Sequence, residues 1–425
     1  MPISRRTFFK GMGALAAAQA LHINTTYAIS TPNPLPKSIL RQTASRPLLM
    51  AHYMPWYQTP ETTGYWGWHW KMDHFDPNQT DANGRPQIAS HYMPLTGPYD
   101  SSDPALLEYQ VLLMKLSGID GVIVDWYGMD DFRDYAQINQ ATGKLFEYIQ
   151  KAGLKFSICY EDQSIKHMVE ENRLSADDRL IQGQTVMAYM QEQWFGDAAY
   201  LKANDQPLLF IFGPQYYKSS SDWEALFADL DPQPGLITLD KHMVSNALSS
   251  YPWPPMTGGI TFNRAAIEAY LSDFYRKAAR WDYSVGGAFP GFHDIYAEAG
   301  VRDSYGYLDA EGGETFNYTL QMALDQNPDV IQLITWNDYG EGTIIEPTQE
   351  FGYQYLAKLQ DVRRVFDGAD FAFTADQLEL PLRLFNLRKA HVGDADINAN
   401  LNEAFTQMIV GEITPAVTIL DRYSE

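Results

Sequence analysis

The chain has 425 residues, room for one large α/β domain or two or three ordinary ones, and is 45% hydrophobic, the composition of a globular protein. Its formal charge is −22, which disfavours nucleic acid, anionic lipid and highly anionic polymers as partners and leaves a neutral sugar unaffected. One cysteine, Cys159, excludes an intramolecular disulfide, and its apolar surroundings read as core.

Ser4-Arg5-Arg6-Thr7-Phe8-Phe9-Lys10 resembles a bacterial twin-arginine export signal. The apolar stretch from Gly11 to Leu21 is too short for a permanent span, and Thr26-Tyr27-Ala28 has the small-residue spacing of a signal-peptidase site. Residues 1–28 are therefore expected to direct export in a folded state, to the periplasm or beyond, with no membrane contact once removed. Residues 29–46, rich in Pro, Ser and Thr, read as a linker.

Beyond it, short apolar runs alternate with helical patterns. Strands are expected at Leu48–Tyr53, Val122–Asp125, Phe156–Tyr160, Leu208–Phe212, Leu236–Leu239, Gly259–Phe262, Val285–Phe289 and Val330–Thr335. Asp103-Pro104 reads as a helix cap followed by proline at the first helical position, with Gly118 as the stop. Further helices are expected near 135–152, 179–195, 221–229, 264–280, 314–326 and 350–365. Eight strands with mostly helical connections argue for an α/β protein, a (β/α)8 TIM barrel over residues 47–366. Residues 367–425 read as a small helical appendage.

In such a barrel the residues just after each strand gather on one face, where reactions occur. Those positions hold Tyr53, Trp56, His69 and Trp70 after the first strand, and Asp125 and Trp126 after the second. Tyr160 and Glu161 follow the third, His293 the seventh, and Asn337, Asp338 and Glu341 the eighth. Carboxylates supply acid/base or nucleophilic groups and aromatic faces supply sugar platforms, the chemistry of a glycosidase. Asp338 and Glu341 are the expected catalytic pair, with Gly340 between them as the turn that aims both into one pocket; the other ten are expected to bind substrate. Trp126 is expected to be a sugar platform. His69, Asp73, His74 and Asp76 match no metal-ligand spacing, so neither a metal nor a cofactor is expected.

Trp336-Asn337-Asp338-Tyr339-Gly340-Glu341-Gly342-Thr343-Ile344-Ile345-Glu346-Pro347 resembles the Asn-Glu-Trp-His-Glu-Gly-Thr-Gln-Ile-Glu-Pro signature of glycoside hydrolase family 99, the endo-α-mannosidases. Tyr53-Met54-Pro55-Trp56-Tyr57 with His69-Trp70, the segment from Tyr92 to Asp103, Ile158-Cys159-Tyr160-Glu161 and Pro290-Gly291-Phe292-His293-Asp294 are similar to that family's other segments, in matching order over residues 48–360. The resemblance implies a barrel that cleaves internal α-linkages of an oligo- or polysaccharide. It implies that Asp338 is the base acting on the substrate's 2-hydroxyl, Glu341 the general acid/base, and Glu161 a ligand of sugar hydroxyls. Asp338 stands where that family has Glu, and Tyr339-Gly340 replaces Trp-His. Asn-Asp-Tyr-Gly-Glu instead resembles glycoside hydrolase family 71, the α-1,3-glucanases, whose acid pair implies inversion. An Asp carboxylate lies about 1.5 Å short of a Glu one. Retention or inversion, mannan or glucan, therefore stay open, as do endo or exo action and oligomeric state. The alternative from another class is a non-catalytic carbohydrate-binding protein on the same barrel.

Overall fold

The computed structural model describes residues 46–423, so the export-signal reading of residues 1–28 and all but the last residue of the 29–46 linker lie outside the described residues. Eight parallel strands, β1 (Leu48–Tyr53), β2 (Gly121–Trp126), β3 (Lys155–Tyr160), β4 (Gln206–Ile211), β5 (Gly235–Leu239), β6 (Ser249–Tyr251), β7 (Val285–Ala288) and β8 (Val330–Leu333), curl into the expected barrel. Hydrogen-bonded neighbours run β6-β5-β4-β3-β2-β1-β8-β7, leaving one seam, between β6 and β7. The chain leaving β6, Pro252-Trp253-Pro254-Pro255, has three residues without an N–H to offer a ladder. Packing closes the seam instead: a Cβ on Gly287 of β7 would lie 2.8 Å from the Pro252 ring, so only glycine lets the two come together.

The sixth strand differs from the expectation of Gly259–Phe262. Ile260–Phe262 is extended, but it pairs with Gly306–Leu308 in a separate sheet completed by Phe292–His293, and Ile260 is exposed. β6 is a three-residue polar strand, Ser-Ser-Tyr, following β5 without an intervening α-helix, and the Ser250 hydroxyl meets that of Thr238 at 2.8 Å. So short and polar a strand carries no apolar periodicity.

Strand alternation divides the side chains. Met50, Ile123, Cys159, Phe210, Ile237, Tyr251, Val285 and Val330 fill the barrel, while Leu49, Ala51, Val122, Val124 and Ile158 join the larger core beneath the helices. The outer helices are α1 (Pro104–Ser117), α2 (Tyr135–Lys151), α3 (Arg179–Met190), α4 (Ser220–Phe227), α5 (Arg264–Ala278), α6 (Glu314–Leu324) and α7 (Gln354–Asp367). The Asp103 side chain caps α1 by accepting the Ala105 N–H at 2.9 Å, and Gly118 ends it at φ 80°. A Cβ on Gly118 would also strike Arg363 of α7, which is buried against Asp120 and the Gly118 carbonyl. Asp120 accepts the Leu49 N–H at 2.8 Å and pairs with Arg46 at 3.0 Å, so this cluster ties down the barrel end opposite the mouth.

The expected appendage consists of α8 (Leu380–Ala390), α9 (Ala395–Ile409) and α10 (Ile413–Asp421). It is anchored to α1 by Arg388, whose guanidinium donates two 2.9 Å bonds to the Glu108 carboxylate. Among the described residues no helix is long and apolar enough to cross a membrane.

Candidate active site

A pocket opens at the barrel mouth, lined by four carboxylates, Asp125, Glu161, Asp338 and Glu341, together with Trp56, His69, His52, Met54, Met72, Tyr127, Phe212, Trp253, Tyr296 and Gly340. Six of the sequence-predicted site residues therefore converge: Trp56, His69, Asp125, Glu161, Asp338 and Glu341. The Trp56 indole stacks on the His69 imidazole with centroids 4.2 Å apart, and the His69 ring also approaches Asp134 at 3.7 Å.

The catalytic candidates ride on a β-hairpin beyond β8, in which Asn337 and Asp338 pair with Ile344 and Thr343. The Asp338 carboxylate accepts the Glu341 N–H at 2.9 Å, and the Asp338 N–H donates to the Thr335 hydroxyl at 2.8 Å. Asp338 thus folds back on its own loop, and its charged form is supported by the backbone. The left-handed position of this turn is Gly342, at φ 68°, where a Cβ would lie 2.7 Å from the His293 carbonyl oxygen. The sequence reading assigned the turn to Gly340, which instead lines the pocket. Beneath the hairpin, buried Glu346 accepts from Tyr99 (2.8 Å), Tyr339 (2.9 Å) and Gln110 (2.7 Å), fixing the loop from below.

Burial raises all four pocket acids, because a charge removed from water favours its neutral form. The Asp338 acid is pushed up to about 7, with the N–H groups of Glu341 and Gly340 opposing the rise. Glu341 is driven well above the usual carboxylate range by burial and then by the Asp338 charge. Asp125 and Glu161 are raised by burial and by neighbouring acids. Glu161 is held by Gln163, whose amide donates at 2.6 Å.

Six sequence-predicted site residues lie outside the pocket lining. Tyr53, Trp126 and Tyr160 point outward: Tyr53 donates to Gln110 at 2.6 Å, the Trp126 indole donates to Asn139 at 3.0 Å and stacks on Tyr189, and the Tyr160 hydroxyl meets Ser164. Neighbours on a strand face opposite sides, so His52, Asp125 and Glu161 facing inward sends Tyr53, Trp126 and Tyr160 into the helix layer. The Trp70 indole is buried and donates to the Tyr99 carbonyl at 2.7 Å. The Asn337 amide is consumed by structure: it accepts the Met54 N–H at 2.8 Å and donates to the Met54 carbonyl and Tyr99 hydroxyl. His293 stacks on His91 with centroids 3.6 Å apart, its N–H donating to the Glu341 carbonyl. Sequence reasoning missed His52, which the same alternation identifies, and Trp253, hidden because the true sixth strand was.

Comparison with known proteins agrees with this architecture. Residues 46–233 match Glycosyl hydrolase family 99. The mouse glycoprotein endo-alpha-1,2-mannosidase-like protein is 21% identical over 74% of this chain and 72% of its own. Mouse glycoprotein endo-alpha-1,2-mannosidase is 22% identical over 70% of this chain and 67% of its own. The solved GH99 endo-alpha-mannosidase of Bacteroides thetaiotaomicron, in complex with bis-tris-propane, superposes with TM-score 0.55 at 21% identity, covering 76% of this chain and 98% of the other. Barrel, mouth and matches together define the chain as a glycoside hydrolase. Within that class its likeness is to glycoside hydrolase family 99, whose model matches residues 46–233.

Proposed function

We propose that the protein is exported through its twin-arginine signal and cleaves internal α-linkages of a mannan-like or glucan chain, with Glu341 as the general acid and Asp338 as the base. One observation carries this reading: two carboxylates three residues apart, Asp338 buried and Glu341 half-buried, meet unlike surroundings. Backbone N–H groups support the Asp338 charge, while Glu341 faces the charge of Asp338 and lacks such support. Environments that separate two acids in this way assign the proton to one and the charge to the other. Glu161 and Asp125 receive sugar hydroxyls, and the Trp56–His69 stack forms an apolar wall against which a pyranose packs. The activities of the relatives, endo-alpha-1,2-mannosidases among them, support an α-linked substrate.

The test is a screen of the purified protein against α-mannans and α-1,3-glucans, with product anomers followed by NMR, alongside Asp338→Asn and Glu341→Gln. Each amide should reduce kcat on an active polymer by about 100-fold or more while sugar binding persists, since general acid–base catalysis contributes on that order. Amide variants with full hydrolytic activity would show that the acids are not the catalysts.

A further inference from the structure

His52 and Asp125 face each other across the floor of the pocket, with His52 Nε2 3.9 Å from Asp125 Oδ1. Both side chains are buried, and among the described residues neither of these two atoms has a hydrogen-bond partner. Everything else about the pair is fixed. The amide nitrogen of Gln332 lies 3.0 Å from His52 Nδ1 and donates to it, so the ring proton sits on Nε2. The Trp253 indole holds the imidazole edge-on at 4.9 Å, and Tyr127 hydrogen-bonds the Asp125 carboxylate. A donor and an acceptor, both buried, held rigid and left open, are costly to folding unless something completes them. Their separation is too long for a direct hydrogen bond and suits one oxygen bonded to both.

We infer that His52 and Asp125 form a specificity subsite for a single sugar hydroxyl, which accepts from His52 Nε2–H and donates to Asp125 Oδ1. The inference rests on the glycan reading above and deepens it: among stereoisomeric sugars this subsite selects the one whose hydroxyl reaches the floor. A hydroxyl is the one common sugar group that both accepts and donates at a single atom. A metal is the competing occupant, because Cys159 Sγ lies within 4.8 Å of the other two. The thiol, however, is enclosed against the Tyr251 hydroxyl at 3.5 Å, and burial favours its neutral form.

The experiment is a binding cycle by ligand-observed NMR titration. Probes are methyl α-D-mannopyranoside, methyl α-D-glucopyranoside and their monodeoxy derivatives. Proteins are the wild type, His52→Phe, which keeps the ring shape without its N–H, and Asp125→Asn, each checked for folding by circular dichroism. One deoxy position should weaken wild-type binding about tenfold or more, the cost of leaving a buried donor and acceptor unsatisfied. In both variants the parent glycoside should bind more weakly and that deoxy penalty should shrink towards unity. An undiminished penalty in both variants, or no sensitive position in the wild type, overturns the subsite and leaves the glycan reading standing. Failure of every glycoside to bind overturns both. Stoichiometric cobalt(II) binding with a thiolate charge-transfer band, lost in Cys159→Ser, would replace the hydroxyl with a metal.

Discussion

At the scale of single residues, the difference between Asp338 and Glu341 has a kinetic consequence. Asp338 loses its proton near pH 7, because burial raises it and backbone N–H groups moderate the rise. Glu341 is driven up by burial and then by the Asp338 charge. If Asp338 must be ionised and Glu341 protonated, kcat/KM rises through about pH 7 as Asp338 ionises, and the descending limb reports Glu341. A profile on the best polymer from pH 4 to 9 checks this; an ascending limb centred near 4, as for an ordinary carboxylate, would remove Asp338 from the base role. Which of these residues could be read from sequence follows from geometry. Asp125, Glu161, Asp338 and Glu341 were legible because each stands at or just after the end of a barrel strand, where side chains gather on one face. Tyr53, Trp126 and Tyr160 were misplaced because a strand end exposes only every second residue to the mouth, and His52 belonged to the chosen side. Asn337 sits in the signature, yet its amide is spent holding the Met54 backbone.

At the scale of elements, the hairpin bearing the acids and the appendage behind α1 are secured by different means. Glu346 gathers three donors beneath the hairpin and is itself raised to about 7 by burial. On the far side, Arg388 of α8 grips Glu108 of α1, with only about a tenth of either side chain exposed. Removing one partner of such a pair leaves the other charge buried, so Glu108→Ala should destabilise the protein by about 3 kcal/mol in urea unfolding. The double replacement Glu108→Leu with Arg388→Met should recover most of that loss, and the folded variants should retain kcat, since neither residue lines the pocket. A single replacement as mild as the double one would mean that the appendage does not brace α1 through this pair. Seven of the eight barrel strands were legible here because each is at least four residues long and mostly apolar. β6 was not, for it is three residues long, polar and laddered on one edge only.

For the whole molecule, several buried ionisable groups make stability depend on pH in an unusual direction. His52 and His167, both lowered to about 3 by burial, are neutral in the fold and take up protons on unfolding, so they favour the folded state more as pH rises to about 6.5. The buried acids act oppositely. Asp338 and Glu346, raised from 3.8 and 4.5 to about 7, hold protons in the fold that the unfolded chain has already released. Their contribution is complete below the unfolded values and is lost as pH climbs through 7. For Asp338 alone the change is on the order of 4 kcal/mol, at 1.36 kcal/mol per unit. At pH 6.5 the unfolded histidines are already half titrated, so the gain they still offer is smaller than the loss the acids still have to make. Tm should therefore fall between pH 6.5 and 8, at fixed ionic strength, although net charge far from the pocket changes little over that range. Asp338→Asn should flatten this decline in a calorimetric scan. The same substitution removes the charge that helps keep Glu341 protonated, so the two effects separate only if the decline is also measured in Glu341→Gln. A Tm that is level or rising from pH 6.5 to 8 in the parent protein would show that the pocket acids are solvated in the free enzyme, and the separation of acid from base would then lack its physical cause.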